Sequence, residues 1–308
     1  MAKWTMGADP EFMLMKGNQH YSAIGIVEGT KDRRVCCGGH EFYYDNVLAE
    51  CGIAPGRTKE EVLCNFRDCF KLYAKMVAPY KLVPQASQVY PANQMNHPDA
   101  RNVGCKIEWC AYAMTDIEDE NTERTIKKTN SRSAGGHVHL GCTMLKDQCN
   151  QVFAVRMLDL FLGLPSIFLD HDPTSAARKK LYGKAGRHRR PAHGLEYRTL
   201  GNFWLASPRL VGLVYDICEF VVQFVHTKQH LELWSIDDDW ATRPDWANAH
   251  HCNAYNVRTL RSAIDRTNLR QGEKFLRLIE EYLPSPLMEE FQKVRQIKRY
   301  DFYKEWSL

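Results

Sequence analysis

Polar side chains recur two residues apart within apolar stretches at three places in the first 200 residues, and from Pro208 onward the pattern is mostly helical. Residues 3–53, rich in Gly, aromatic and β-branched residues, predict strands over 4–14, 20–27 and 40–51. Thr58-Lys-Glu-Glu61 is a capping-box pattern. It opens a predicted helix to about Met76, with Val62, Phe66, Cys69, Tyr73 and Met76 on one stripe. Residues 81–115 read as short strands and loops broken by Pro84, Pro91 and Pro98, and the acidic stretch 116–123 as a solvated loop. A strand is predicted over 132–141, then a buried helix over about 147–164 that Pro165 ends or kinks. Residues 178–190 read as a basic loop, 194–200 as a strand, and about 208–227, 257–267, 272–282 and 286–299 as helices. With no internal repeat or Gly/Ser linker, this predicts an α+β fold in one domain over 1–308, its helical C-terminal portion starting near 206.

Composition changes this picture little. The chain has 308 residues, 44% apolar and 25% charged, enough for a sizeable core. A net charge of +4 is too small to argue nucleic-acid binding by itself. The eleven cysteines are an odd number without C-x2-C spacing and read as buried fillers in a reducing cytosol. The start lacks an apolar leader segment. The apolar runs 152–169 and 210–225 are interrupted by charges and by Pro165, and read as buried helices rather than membrane spans.

Three short pieces carry candidate chemistry. Asp9-Pro-Glu11, His137-Val-His139 and Glu196-Tyr-Arg198 each place polar side chains two residues apart, on one face of a strand. Brought together, they would make a site for divalent metals and a polyphosphate. Pro10 disfavours a central strand position and predicts a strand end or bulge. The stretch 178–190 holds seven Lys/Arg and no acid, among them Lys184, Arg187, Arg189 and Arg190. Its guanidinium forks suit phosphate oxygens, and its position just before Glu196 lets it overhang the same site. Asp45 and Glu50 are further acids in an aromatic, apolar segment; Glu108 is a weaker candidate, and His250-His251-Cys252 reads as a loop.

Taken in order, Gly7-Ala-Asp-Pro-Glu-Phe12, Tyr44-Asp-Asn46 with Glu50, Ser133-Ala-Gly-Gly-His-Val-His-Leu-Gly141, Leu181-Tyr-Gly-Lys-Ala-Gly186 and Glu196-Tyr-Arg-Thr-Leu-Gly-Asn-Phe-Trp204 resemble the glutamine synthetase-like carboxylate–amine ligases. The sequence is most similar to the type-2 carboxylate–amine ligase (amidoligase) family of tailed bacteriophages. That resemblance implies a curved antiparallel sheet whose concave face holds ATP and two or three Mg²⁺ ions. It implies Glu11 as the metal-binding acid of the first strand with Asp9 as its partner, although relatives often carry Glu-x-Glu there. It further implies His137 or His139 as a metal or phosphate ligand, Glu196 as the late metal-binding acid and Arg198 as the stabiliser of the transferred phosphoryl group. Arg187, Arg189 and Arg190 match the family's upstream arginines loosely and, with Lys184 and Arg198, are the candidate nucleotide-binding residues; Asp45 and Glu50 are candidates for remaining metal ligands or the general base.

The expected activity is ATP-dependent amide-bond formation through an acyl phosphate, in the cytoplasm of a phage-infected host. Expected substrates are a small-molecule or peptide carboxylate and an amine, with a nucleobase or nucleotide as a further candidate, and no membrane partner. Two other classes stay open: a zinc-dependent amide or ester hydrolase built on His137 and His139, and a nucleic-acid-binding phage protein using 178–190. The Glu-x-Arg match also predicts that Arg198→Ala removes activity and leaves the fold intact.

Overall fold

The computed structural model describes residues 2–102, 107–118, 120–236, 250–252 and 254–308. Strands β1 (Thr5–Lys16), β2 (Gln19–Tyr21), β3 (Val35–Cys37), β4 (His40–Asp45) and β5 (Leu48–Gly56) precede helix α1 (Lys59–Met76). Strands β6 (Lys81–Val83), β7 (Ser87–Val89), β8 (Ile107–Cys110) and β9 (Thr115–Glu118) lead to α2 (Glu120–Lys128), β10 (Ser131–Ser133) and β11 (Gly136–Gly141). Helices α3 (Gln148–Leu158), α4 (Leu164–Leu169) and α5 (Ser175–Leu181) follow, then β12 (Arg187–Arg189) and β13 (Gly194–Tyr197). The remainder is α6 (Pro208–His226), the paired β14 (Trp234–Ile236) and β15 (His250–Cys252), α7 (Val257–Asp265), α8 (Leu269–Tyr282), α9 (Ser285–Arg295) and α10 (Phe302–Trp306).

Among the described residues the main sheet runs β3-β4-β5-β1-β11-β13-β12-β8-β9, with β2 and β6 added along the far end of β1. Every neighbouring pair in it is antiparallel. Alternation sorts its two faces. Ala8, Phe12, Val138, Leu140, Leu195 and Tyr197 enter the main core, while the intervening Asp9, Glu11, His137, His139 and Glu196 belong to the opposite face.

Helix α1 covers part of the apolar face. Half of its capping box forms: Glu61 N–H donates to Thr58 Oγ1, while the Glu61 carboxylate accepts from Arg57 N–H, one residue before the N-cap. Val62, Phe66, Cys69, Phe70 and Tyr73 form its buried stripe. Met76, expected on that stripe, is 43% exposed because the helix ends there. Phe70 is fully buried, with ring centroids 5.0 Å from Trp306, 5.3 Å from Phe302 and 5.4 Å from Phe12. Phe70→Ala is therefore expected to cost about 3–5 kcal/mol, read from urea melts.

Pro165 neither ends nor sharply breaks its helix. A turn of π-helix, Asp159–Gly163, joins α3 to α4, and Pro165 sits in the first turn of α4, where a missing N–H costs least. This 148–169 helix is, among the described residues, the one long and apolar enough to cross a membrane, and its apolar window is wholly buried in the protein. Asp159, in the π-turn, is fully buried and accepts a hydrogen bond from Tyr197 Oη at 2.7 Å, while its Oδ2 has no hydrogen-bond partner among the described residues. Burial pushes its carboxyl up to about 7. Between about pH 4 and 7 the folded chain thus holds a proton that the unfolded chain releases. This stability is present at low pH and lost as pH rises through 7, at ~1.4 kcal/mol per unit. Relative to Asp159→Asn, the wild type is expected to weaken from pH 5 to pH 8 in urea melts.

Several expected elements differ. The strand over 20–27 shrinks to Gln19–Tyr21. The strand over 40–51 is a hairpin, β4–β5, turning at Asn46, whose φ is 62°. The 132–141 strand splits into β10 and β11 around Ala134-Gly135, and the 194–200 strand stops at Tyr197. The acidic stretch is β9 and the start of α2. Residues 250–252 are a strand, not a loop. The basic stretch is a helix end, a turn and a strand, because Arg178 and Lys179 bury their charges against the protein; only Lys180 and Arg190 of its seven cations are exposed. Pro10 lies inside the twelve-residue β1, but at the end of its ladder with β11, where its missing N–H interrupts nothing. The bulge falls two residues earlier, between Met6 and Ala8 in the pairing with β5.

Candidate active site

Pairing in the sheet sets the polar side chains in one row across five strands. Glu50 of β5 lies opposite Glu11 of β1, Asp9 of β1 opposite His137 of β11, His139 opposite Glu196 of β13, and Glu196 opposite Arg189 of β12. One ligand atom from each of Asp9, His139 and Glu196 falls within a 4.8 Å set. Asp9 Oδ1 is 3.1 Å from His137 Nδ1 and 3.4 Å from His139 Nε2, yet neither contact has the direction of a hydrogen bond. His139 Nδ1 lies 3.2 Å from His193 Nε2.

Arg198 anchors one end. It is 3% exposed, donates from Nε to Glu108 at 2.6 Å and from Nη1 to Glu196, and its Nη1 is 3.3 Å from His137 Nδ1. Arg189 Nη1 approaches Glu196 at 3.6 Å. At the other end Tyr43 Oη donates to Glu50 at 2.7 Å, and Asp45 pairs with Lys31. Glu11 accepts the Gly135 N–H at 2.5 Å.

The charges bear on one another. Burial opposes ionisation of Asp9, but His137 and His139 outweigh it and hold the carboxyl well below its usual range. Burial would lower His139, and Asp9 raises it. Burial, then Glu11, Asp9 and Asp45, push Glu50 well above the carboxylate range. Burial also raises Glu11, against the pull of His137. For Glu108, burial is outweighed by Arg198, so its carboxyl is lowered.

The donor set fits a divalent cation. Among the described residues Asp9 Oδ1, His139 Nε2 and Glu50 Oε2 are buried without hydrogen-bond partners, and such carboxylate and imidazole atoms are stabilised by a ligand that supplies positive charge. Carboxylate oxygens suit Mg²⁺ or Mn²⁺, with one imidazole tolerated.

Two pockets meet this row. One, of about 510 Å³, is lined by Asp9, Glu50, His139, Glu196, Arg34 and Arg189. The other, of about 60 Å³, is lined by Glu11, Asp45, Ser133, His137, Arg178 and Arg198. Asp9, Glu11, Asp45, Glu50, Glu196, His137 and His139 thus reach one of the two pockets, as do Arg189 and Arg198, while Glu108 lines neither. Lys184, Arg187 and Arg190 line neither; Arg190 stacks on Trp109 at 4.0 Å, and Lys184 gives its carbonyl to Thr199. Sequence reasoning gave no role to Tyr43, Ser133 or His193, gave Arg178 one only as part of the basic stretch, and ranked Glu108 low. Ser133 and Arg178 stood inside the quoted motifs, but Glu108 carries no local signal, since its partner Arg198 lies 90 residues away.

No curated protein matches the chain. A family profile, phage phiEco32-like COOH.NH2 ligase-type 2, matches residues 111–306. The match contains both histidines, Glu196 and Arg198, while Asp9, Glu11, Asp45 and Glu50 join them through the sheet. Covering well over half of the sequence, it establishes that the chain belongs to this phage carboxylate–amine ligase family.

Proposed function

We propose that the protein is an ATP-dependent carboxylate–amine ligase that forms an amide through an acyl phosphate. The observation that carries this reading is the juxtaposition, from three separate strands, of Asp9, His139 and Glu196, with Arg198 bonded to Glu196. The proposal includes the curved sheet of the glutamine synthetase-like fold, a single catalytic domain and a place in the host cytoplasm.

Asp9, Glu11, His139 and Glu196, with His137 and Glu50 beside them, would hold Mg²⁺, two or three ions in all. Bound there, Mg²⁺ would offset the charge of the ATP phosphates. The wider pocket has the size of a nucleotide site, and Arg34 and Arg189 place positive charge on its wall. A substrate carboxylate attacks the γ-phosphorus, the bond to ADP breaks, and Arg198 faces the phosphoryl group in transfer. Its guanidinium is pre-oriented by Glu108 and Glu196, so little reorganisation is needed. The amine then attacks the acyl carbon and phosphate leaves. Asp45 or Glu50 is the proposed acceptor of the amine proton; Tyr43 fixes the Glu50 carboxyl.

Calorimetry with a non-hydrolysable ATP analogue, in Mg²⁺ and in EDTA, tests the reading. Metal-dependent binding, followed by ADP release with a carboxylate/amine pair, is expected; no nucleotide binding would overturn it. Glu11→Gln is expected to weaken Mg·ATP affinity on the order of 10-fold or more, and unchanged affinity would remove Glu11 from the metal site.

The mixed nitrogen and oxygen donors of Asp9, His139 and Glu196 also suit Zn²⁺, which keeps a zinc hydrolase as the second reading. Amide hydrolysis restored by Zn²⁺ without nucleotide would select it. The nucleic-acid reading loses its carrier, since the basic stretch is largely folded into the protein.

A further inference from the structure

Two residues that line the small pocket carry polar atoms that the fold leaves without partners among the described residues. Arg178, on α5, is 2% exposed, and its Nη1 is buried with no hydrogen bond among the described residues. Ser133 Oγ, at the end of β10, is buried and equally unpartnered. A buried guanidinium N–H without an acceptor is costly, even where nearby Glu11 offsets part of the charge. The chain makes room for this arrangement with glycines. A Cβ on Gly183, whose φ is +68°, would lie 2.0 Å from Arg178 Nη1, and one on Gly135 would lie 3.0 Å from Nη2. By contrast Arg132, which also lines the pocket, is committed to Asn46 and to the carbonyls of Ala100, Thr129 and Ser131.

The pocket is also bipolar. Arg178 and Ser133 line it together with the carboxylates of Glu11 and Asp45, and Arg198 with His137 connects it to the catalytic row. At about 60 Å³ it holds a handful of water molecules, far too little for a nucleotide. An anion-binding group and an acidic group in so small a space match a zwitterion.

Resting on the ligase reading, we propose that this pocket binds a small free α-amino acid as the amine partner, its α-carboxylate on Arg178 and Ser133 and its amino group toward Glu11 and Asp45. The ammonium first loses a proton to the Asp45 carboxylate, the acid of this pocket already proposed as acceptor. The nitrogen then attacks the acyl carbon, a C–N bond forms, and the C–O bond to phosphate breaks with its electron pair leaving on phosphate. The second nitrogen proton ends on that phosphate. The product is an amide bearing the free carboxylate of the added amino acid, so the enzyme would append an amino acid to a carboxylate delivered from the wider pocket.

The test is calorimetry of the full chain with each common α-amino acid, with and without a Mg²⁺-bound ATP analogue. The matching α-amino amides and inorganic phosphate serve as comparison probes. At least one amino acid is expected to bind, its amide at least 10-fold more weakly. Arg178→Met should lose the amino acid by 10-fold or more and Ser133→Ala by a smaller factor, both binding the nucleotide analogue as the wild type does. A protein that binds the nucleotide but no amino acid under either condition would overturn the pocket assignment and leave the ligase reading standing. Amino-acid binding unaffected by both substitutions, or phosphate binding in its place, would overturn it as well. Amino-acid binding without any nucleotide binding would keep the pocket and remove the ligase reading.

Discussion

Replacing Arg198 by alanine is expected to lower ADP release by on the order of 10³-fold or more, because the guanidinium is the one held rigidly against the catalytic row. The structure adds a second effect that the Glu-x-Arg motif did not predict. Arg198 is buried between the half-buried Glu108 and the buried Glu196, so its loss takes the nearest counter-charge from both and leaves Glu196 only the more distant Arg189. Breaking such a pair by removing one partner costs about 3–5 kcal/mol. The expectation that the fold is left intact is therefore replaced by a marked fall in melting temperature. Arg198→Lys separates the effects: it keeps a charge but not the fork, so it should recover more stability than activity. Activity within 10-fold of wild type in Arg198→Ala would remove this residue from phosphoryl transfer.

Asp9→Asn is expected to weaken divalent-cation binding by on the order of 10²-fold. Asp9 is the centre of the row, within 3.1 Å of His137 and 3.4 Å of His139, and an amide supplies neither its charge nor its basicity. The readout is thermal. A ligand at 100 times its Kd stabilises the folded state by ~2.7 kcal/mol, so Mg²⁺ or Mn²⁺ should raise the wild-type melting temperature and leave that of the variant nearly unchanged. Equal metal-induced shifts in the two proteins would show that the cation sits elsewhere.

Much of the site was legible because strand alternation is a local property. Asp9 and Glu11, or His137 and His139, share a face whatever strand lies beside them. The N-cap of α1 was equally local, and Thr58 caps the helix as read. Reading failed where burial overrode composition. The run 178–190 looks like a solvated loop, but the aliphatic stems of Arg178 and Lys179 pack inward, and Lys179 Nζ donates to backbone carbonyls of Gly183 and Thr199. It also failed at Pro165, since a π-turn that accommodates proline leaves no mark in a 3.6-residue period.

The sequence by itself determined the pairs: which acids, histidines and arginines lie on the same side of their own strands, and therefore that a metal- and phosphate-competent face exists. Tertiary structure decided which pairs become neighbours. Strand order set Asp9 against His137 and His139 against Glu196, joined Glu108 to Arg198 across 90 residues, and closed Ser133 and Arg178 around one small pocket. The reason is that a side chain's face depends on its own backbone, whereas its neighbours across a sheet depend on pairings made by burying the opposite, apolar face against helices distant in the chain.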